Sequence, residues 1–371
     1  MILNPSTRKI SAVVVGGSNS VMSPGYLSGL TTALQRSGVE FDIVSNLAIG
    51  NTSSLMGLMR LKERSADLRS ADLIMIEYCL NDSDIYRINS GNYSELQRWC
   101  QASEGLLRFC RQTNPNAMIV STVLASKHGV HRKSVNPVHA YVHYFARYYD
   151  THVIDLNMEF RKKFGSKFYD AAGVYLDPGH YSRPIMTTIA GEIIATDILN
   201  VVLRARVAHD IPPPNLEDNF SEMQLVDIGC VPELPAGDFV NSGFSERAFD
   251  LFGRTIHLRV SEGIPVCVRY ICVEDIACIF VRSYGRWYRV KTLQPGMVEP
   301  KYKFLVSNAN LDCLPSGVGI NEVLITATPP NEGVITDVQQ HVAIEPVRPS
   351  KRLPICAIGC TGNVFDVNVL D

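Results

Sequence analysis

The stretch VVVGGSNSVM, residues 13–22, decides how the chain is read. A run of β-branched apolar residues gives way at once to two glycines and two serines. A buried strand ending in a sharp turn has this form, because glycine tolerates the change of direction and leaves Ser18 at the edge of the sheet. A tight turn with no further purpose accounts for Gly16-Gly17-Ser18 equally well. The remainder of the chain has to choose between the two.

Working outward, residues 10 to about 205 alternate short apolar runs with segments of helical period. Strands are expected at 10–15, 41–45, 72–78, 117–123 and 152–156, each almost continuously apolar, as strands covered on both faces are. Helices are expected at 24–37, with Pro24 at the first helical position, and at 53–68, 93–112, 137–149 and 183–205. Strict βα alternation predicts an α/β domain with a parallel sheet between two helical layers. Such sheets carry their sites in the loops at the carboxyl ends of the strands.

The stretch DIPPPNLEDNF at 210–220 reads as a stiff linker. Three parts are therefore expected: an α/β domain over 1–208, a Pro-rich linker over 209–221, and a β-rich accessory domain over 222–371. Beyond the linker the helical period disappears. Runs such as RTIHLRV, IPVCVRYICV and NEVLITAT predict an all-β domain, an antiparallel sandwich or barrel.

Bulk properties narrow the classes. Hydrophobic residues make up 46% and charged residues 19% of the 371, which excludes wholesale disorder. A formal charge of −2 gives no electrostatic footprint for nucleic acid or anionic membranes. No apolar run approaches the roughly 20 residues of a membrane span. Arg8-Lys9 with ISAVVV is too short for an export signal, so the ten cysteines are expected as reduced thiols and the chain as cytoplasmic.

Four loops carry residues suited to one chemistry. Ser18 follows the first strand. Gly50, in NLAIGNTSS, follows the second and lets the backbone approach a bound group. Asn81, in YCLNDSD, follows the third and can aim an amide N–H at a developing oxyanion. In LDPGHYSRP, Asp177 and His180 lie three residues apart, so the carboxylate can hold one ring nitrogen while the other faces outward. A serine hydroxyl needs such a base because it must lose its proton as it attacks. Each motif alone also reads as an ordinary turn or helix cap.

Taken together, in the order Ser, Gly, Asn, Asp-x-x-His, they resemble the SGNH hydrolases, or GDSL family, over roughly residues 10–205. The resemblance implies a three-layer, flavodoxin-like α/β/α fold. It also implies Ser18 as nucleophile, Asp177 and His180 as the rest of a triad, and Ser18, Gly50 and Asn81 as oxyanion-hole donors. Two departures stand out: Gly17 where the family usually has Asp, and Cys79 where it usually has Gly. Ser20 is a rival nucleophile by proximity.

The function expected is a serine esterase cleaving an O-acyl ester, with O-acetyl groups on a carbohydrate the first candidate, and needing no metal or cofactor. An O-acyltransferase to a glycan would use the same residues, and a noncatalytic binding protein could keep the same fold. Lys127, His128, His131 and Arg132, after the fourth strand, are candidates for meeting an anionic part of the substrate. His139 and His143 lack a Glu or Cys to complete a ligand set and are expected on a helix surface. Cys267, Cys272, Cys278, Cys356 and Cys360 fit no paired zinc spacing. Trp287 and Tyr288 read as core aromatics.

Overall fold

A computed structural model of the chain describes residues 8–88, 93–127, 136–202, 210–230, 234–241, 244–298, 302–315, 317–338, 343–347 and 350–370. The chain divides into two compact units, the first ending at Ser221 and the second starting at Glu222.

In the first unit, strands β1 (Arg8–Gly16), β2 (Val39–Asn46), β3 (Leu73–Glu77), β4 (Met118–Val123) and β5 (His152–Asp155) form one parallel sheet in the order β2-β1-β3-β4-β5. Residues 12–15 and 73–75 are 0% exposed, so both faces of the central strands are covered, as their unbroken apolar sequence requires. This is the flavodoxin-like order, and the direction of chain progress reverses between β1 and β3.

The helices are α1 (Ser18–Val21), α2 (Tyr26–Arg36), α3 (Ser54–Glu63), α4 (Ser65–Ser70), α5 (Cys79–Ile85), α6 (Tyr93–Thr113), α7 (Pro137–Tyr148), α8 (Leu156–Phe164) and α9 (Ile185–Val202). Right-handed crossovers put α2 on one face of the sheet and α3, α6 and α7 on the other. On the first face α2 and α9 touch backbone to backbone at two glycines. A Cβ on Gly191 would lie 2.3 Å from the Leu30 nitrogen, and one on Gly29 would lie 2.8 Å from Thr188 Cα.

Four boundaries differ from the sequence reading. The first helix starts at Tyr26 rather than Pro24, because the short α1 and a turn intervene. The helix expected over 53–68 breaks at Arg64 into α3 and α4. The turn-prone residues Asn81 and Asp82 lie inside α5, and α8 was too short to announce itself by period.

The Pro-rich stretch, expected as a stiff spacer, is held against the first unit from residue 210 to 221. Its carbonyls accept hydrogen bonds at Pro212 from Arg108 (2.7 Å), at Pro213 from Tyr148 (3.0 Å) and at Ser221 from Lys62 (2.7 Å). The main anchor is Glu104 of α6, which is 0% exposed. Its carboxylate accepts the backbone N–H groups of Asn215 (2.6 Å) and Leu216 (3.0 Å) and the Tyr149 hydroxyl. Buried carboxylates persist where several donors replace water.

The second unit is β-rich throughout its described residues. Its strands are β8 (Gln224–Val226), β9 (Ala236–Val240), β10 (Ser245–Asp250), β11 (Thr255–Ser261), β12 (Pro265–Cys272), β13 (Ile279–Ser283), β14 (Arg286–Val290), β15 (Leu305–Asn310), β16 (Ile320–Thr326), β17 (Ile335–Val338), β18 (Pro354–Cys360) and β19 (Asn363–Leu370). A short antiparallel pair, β6 (Tyr175–Asp177) and β7 (His180–Tyr181), belongs to the first unit and forms a sheet of its own.

Two open six-stranded sheets result. One runs β15-β12-β18-β10-β9 with β8 on β18, the other β17-β14-β13-β16-β11-β19. Burial alternates along β11 and β16, so one face of the second sheet points inward. The pairing is antiparallel except between β14 and β17, a departure from the expected pattern. Tyr288 is buried, as expected of a core aromatic, while Trp287 is half-buried.

Replacing Glu104 with Ala strands two backbone N–H groups and a tyrosine hydroxyl. It should lower the unfolding free energy by about 2–4 kcal/mol, read from urea denaturation, whereas Glu217→Ala on the surface of the same stretch should leave it nearly unchanged.

Candidate active site

The site builds from the ends of β1, β2 and β3. Hydrogen bonds from Leu47 N to Val14 O (2.8 Å) and from Ile49 N to Gly16 O (3.0 Å) carry the β2 chain along β1 until Gly50 reaches Ser18. A Cβ on Gly50 would lie 3.5 Å from Ser18 Cβ. Ser18 opens α1, a four-residue helix whose N-cap is Gly17.

The two glycines before Ser18 are there for space, not for backbone freedom. Neither has a positive φ. A Cβ on Gly16 would lie 2.6 Å from Ser20 Oγ, and one on Gly17 would lie 2.5 Å from Asn81 Oδ1. The carboxamide of Asn81 therefore occupies the place that a side chain at 17 would need. An aspartate at position 17 could enter only if Asn81 moved.

His180 reaches the site on the β6–β7 hairpin. Its Nε2 lies 2.7 Å from Ser18 Oγ, across 162 positions of sequence. Its Nδ1 lies 2.8 Å from both oxygens of Asp177. Asp177 Oδ1 also accepts the backbone N–H groups of Gly179 (2.9 Å) and His180 (3.0 Å), so the turn shapes itself around the carboxylate. Partial burial alone would raise the Asp177 carboxyl, but the His180 ring and these N–H donors hold it below its ordinary range.

Two further contacts brace the hairpin. Asn19 Nδ2 donates to Gly179 O at 3.1 Å, and Lys127 N donates to Pro178 O at 2.8 Å. Asn19 was not singled out from sequence; its only signal was its place next to Ser18.

Asn81 donates one amide hydrogen to Thr52 O at 2.9 Å. Its neighbour Asp82, 2% exposed, accepts Ser54 N and Trp99 Nε1, each at 2.9 Å, and so ties the start of α3 and the body of α6 to α5. Cys79 is buried, and that burial keeps its thiol well above the ordinary range and neutral.

The rival serine is shut away. Ser20 is 1% exposed, donates to Glu77 Oε2 at 3.0 Å and pairs with the Tyr26 hydroxyl at 2.8 Å. Lys127 is half-buried, with its ammonium 5.7 Å from the Tyr175 ring centre. His128, His131 and Arg132 lie outside the described residues. His139 is buried rather than on the helix surface; burial pushes its imidazole down to about 4, and His143 instead pairs with Asp155 at 3.0 Å.

Sequence reasoning passed over Glu77, the acid that ends the apolar run LIMIE. It is 1% exposed, and burial pushes its carboxyl up to about 8 against the pull of its hydrogen bonds from Ser20 and Gly17. The folded protein therefore keeps a proton that the unfolded chain releases above the ordinary carboxylate value. Stability contributed by this group is complete at low pH and is lost as pH rises towards 8. The slope reaches at most roughly 1.4 kcal/mol per pH unit. Glu77→Gln cannot ionise and should flatten the fall in urea-unfolding free energy between about pH 5.5 and about pH 7.5.

No family model and no curated protein matches the sequence. Among solved structures, a two-domain esterase active on acetylated mannans, co-crystallized with mannopentaose, aligns with a TM-score of 0.63 at 13% identity, covering 97% of this chain and 92% of that one. A second structure of a two-domain esterase active on acetylated mannans gives 0.62 at 12% identity, covering 96% and 93%. An acetyl xylan esterase, AlAXEase, gives 0.41 at 15% identity, covering 52% of this chain and 100% of its own. The first two establish a shared fold, an α/β/α unit followed by a β-rich one.

Proposed function

We propose that the chain is a serine ester hydrolase of the SGNH type that removes O-acyl groups, acetyl foremost, from a carbohydrate. The observation that carries this reading is the unbroken contact from the Ser18 hydroxyl through the His180 ring to the Asp177 carboxylate. The acetylated carbohydrate is supported by the shared fold with an esterase active on acetylated mannans.

On this reading Ser18 Oγ attacks the acyl carbon while His180 Nε2 takes its proton. Asp177 holds the proton on Nδ1 and stabilises the imidazolium. The carbonyl oxygen becomes an oxyanion held by the backbone N–H groups of Ser18 and Gly50 and by the second amide hydrogen of Asn81. His180 then returns its proton to the departing sugar oxygen, leaving an acyl-enzyme on Ser18. Water, deprotonated by the same ring, attacks that ester and frees the acid and the serine.

Ser18→Ala should abolish acetate release from an acetylated mannan and labelling by a serine-directed fluorophosphonate. A native protein that takes no label would point to a binding protein on the same fold. Addition of an acceptor glycan should leave acetate release unchanged; product that forms only with acceptor would reassign the reaction to transfer.

Asn81→Ala should reduce kcat by roughly 10²–10³ with KM little changed, since an oxyanion donor acts in the transition state. Equal losses in kcat and binding of a nonreactive sugar would argue against that role.

A further inference from the structure

We infer that Glu77 is a positioning residue for Ser18: its carboxyl, beneath the turn, ties the residues on either side of the nucleophile to the end of β3 and so fixes where the hydroxyl points. The inference rests on the serine-esterase reading and adds a residue to it.

The geometry is specific. One oxygen, Oε2, accepts both the Gly17 backbone N–H at 3.3 Å and the Ser20 hydroxyl at 3.0 Å. The Gly17 N–H is shared with the carbonyl of Glu77 itself at 3.0 Å. Ser20 Oγ pairs in turn with the Tyr26 hydroxyl on α2 at 2.8 Å, so β3, α1 and α2 meet at one carboxyl. Ser18 lies between the two tethered residues.

A tether is needed there because α1 has four residues, too few to hold a helical turn by its own hydrogen bonds. Rotation of that turn would swing Ser18 Oγ off His180 Nε2, which it meets at 2.7 Å. The space around the tether is filled: Gly16 has no room for a Cβ beside Ser20 Oγ and the Glu77 carbonyl, 2.6 and 3.0 Å away. A carboxyl 1% exposed is costly to bury, and no other group described in the site makes use of it; holding the turn gives it a task. The titratable groups facing it include Tyr26 on α2, Tyr78 after β3, Cys79 and Asp82 on α5, and Tyr181 on β7.

The test compares Glu77→Leu and Glu77→Gln in the full chain, using acetate release from acetylated mannan and the rate of fluorophosphonate labelling. Leu keeps the volume and removes the acceptor. It should lower kcat and the labelling rate together by roughly 10- to 100-fold, with KM within about twofold. Gln restores an acceptor oxygen and should recover kcat to within about threefold of wild type.

A Leu variant that melts earlier yet turns over at the wild-type rate while folded would overturn the inference, because the role would then be structural only. Should Glu77→Leu fail to fold, Ser20→Ala decides: it removes one tethered hydroxyl, and kcat at about one third of wild type or lower supports the role, whereas unchanged kcat overturns it. Wild-type turnover that vanishes in Ser18→Ala establishes the esterase reading independently, so an unchanged Glu77→Leu would remove the positioning role alone.

Discussion

The hydrogen bond between Ser18 Oγ and His180 Nε2 joins positions 162 residues apart, and the site exists only while it can form. Two constraints make it possible. A parallel sheet whose order turns back between β1 and β3 opens a crevice at the carboxyl ends of those strands. The hairpin bearing His180 is then pinned to the edge of that crevice from two directions, by Asn19 on α1 and by the backbone after β4. Without those pins a half-exposed Asp-x-x-His turn would have little to fix its distance from Ser18.

Around this bond the first unit is organised by buried acids. Glu77 gathers Gly17 and Ser20, Asp82 gathers the start of α3 and Trp99, and Glu104 gathers the chain that leaves the domain. Each would be expensive to bury alone, and each is surrounded by donors that loops and helix ends would otherwise leave unpaired. The same device thus serves three purposes: it holds the nucleophile turn, positions the loops around Asn81, and docks the Pro-rich segment.

Much of the architecture was legible because the central strands β1, β3 and β4 are buried on both faces and so write themselves as nearly unbroken apolar runs. Three of the candidate site residues, Ser18, Gly50 and Asn81, were proposed for a related reason: they follow the strands β1, β2 and β3, where chain direction brings them to one edge, whereas Asp177 and His180 arrive on a separate hairpin. What the linear pattern hid was three-dimensional occupancy. Gly16 and Gly17 look like turn residues, but their side chains are excluded by Ser20 and Asn81. Asn81 and Asp82 have turn propensity, yet packing of α5 makes them helical. The prolines at 212 and 213 suggested a spacer because composition says nothing of their carbonyls, which accept hydrogen bonds from α6 and α7. The acid closing LIMIE was the one visible sign of Glu77, and apolar context made it look like the end of a strand.

The most direct measurement is peptide mass mapping of the protein quenched during turnover of an activated acetyl ester. The account predicts the mass of one acetyl group on the peptide that contains Ser18, trapped by acid quench with the activated ester in excess, and its loss in both Ser18→Ala and His180→Ala, since the same ring assists both steps. Acetyl found on another side chain, or turnover with no covalent species on that peptide, would contradict it.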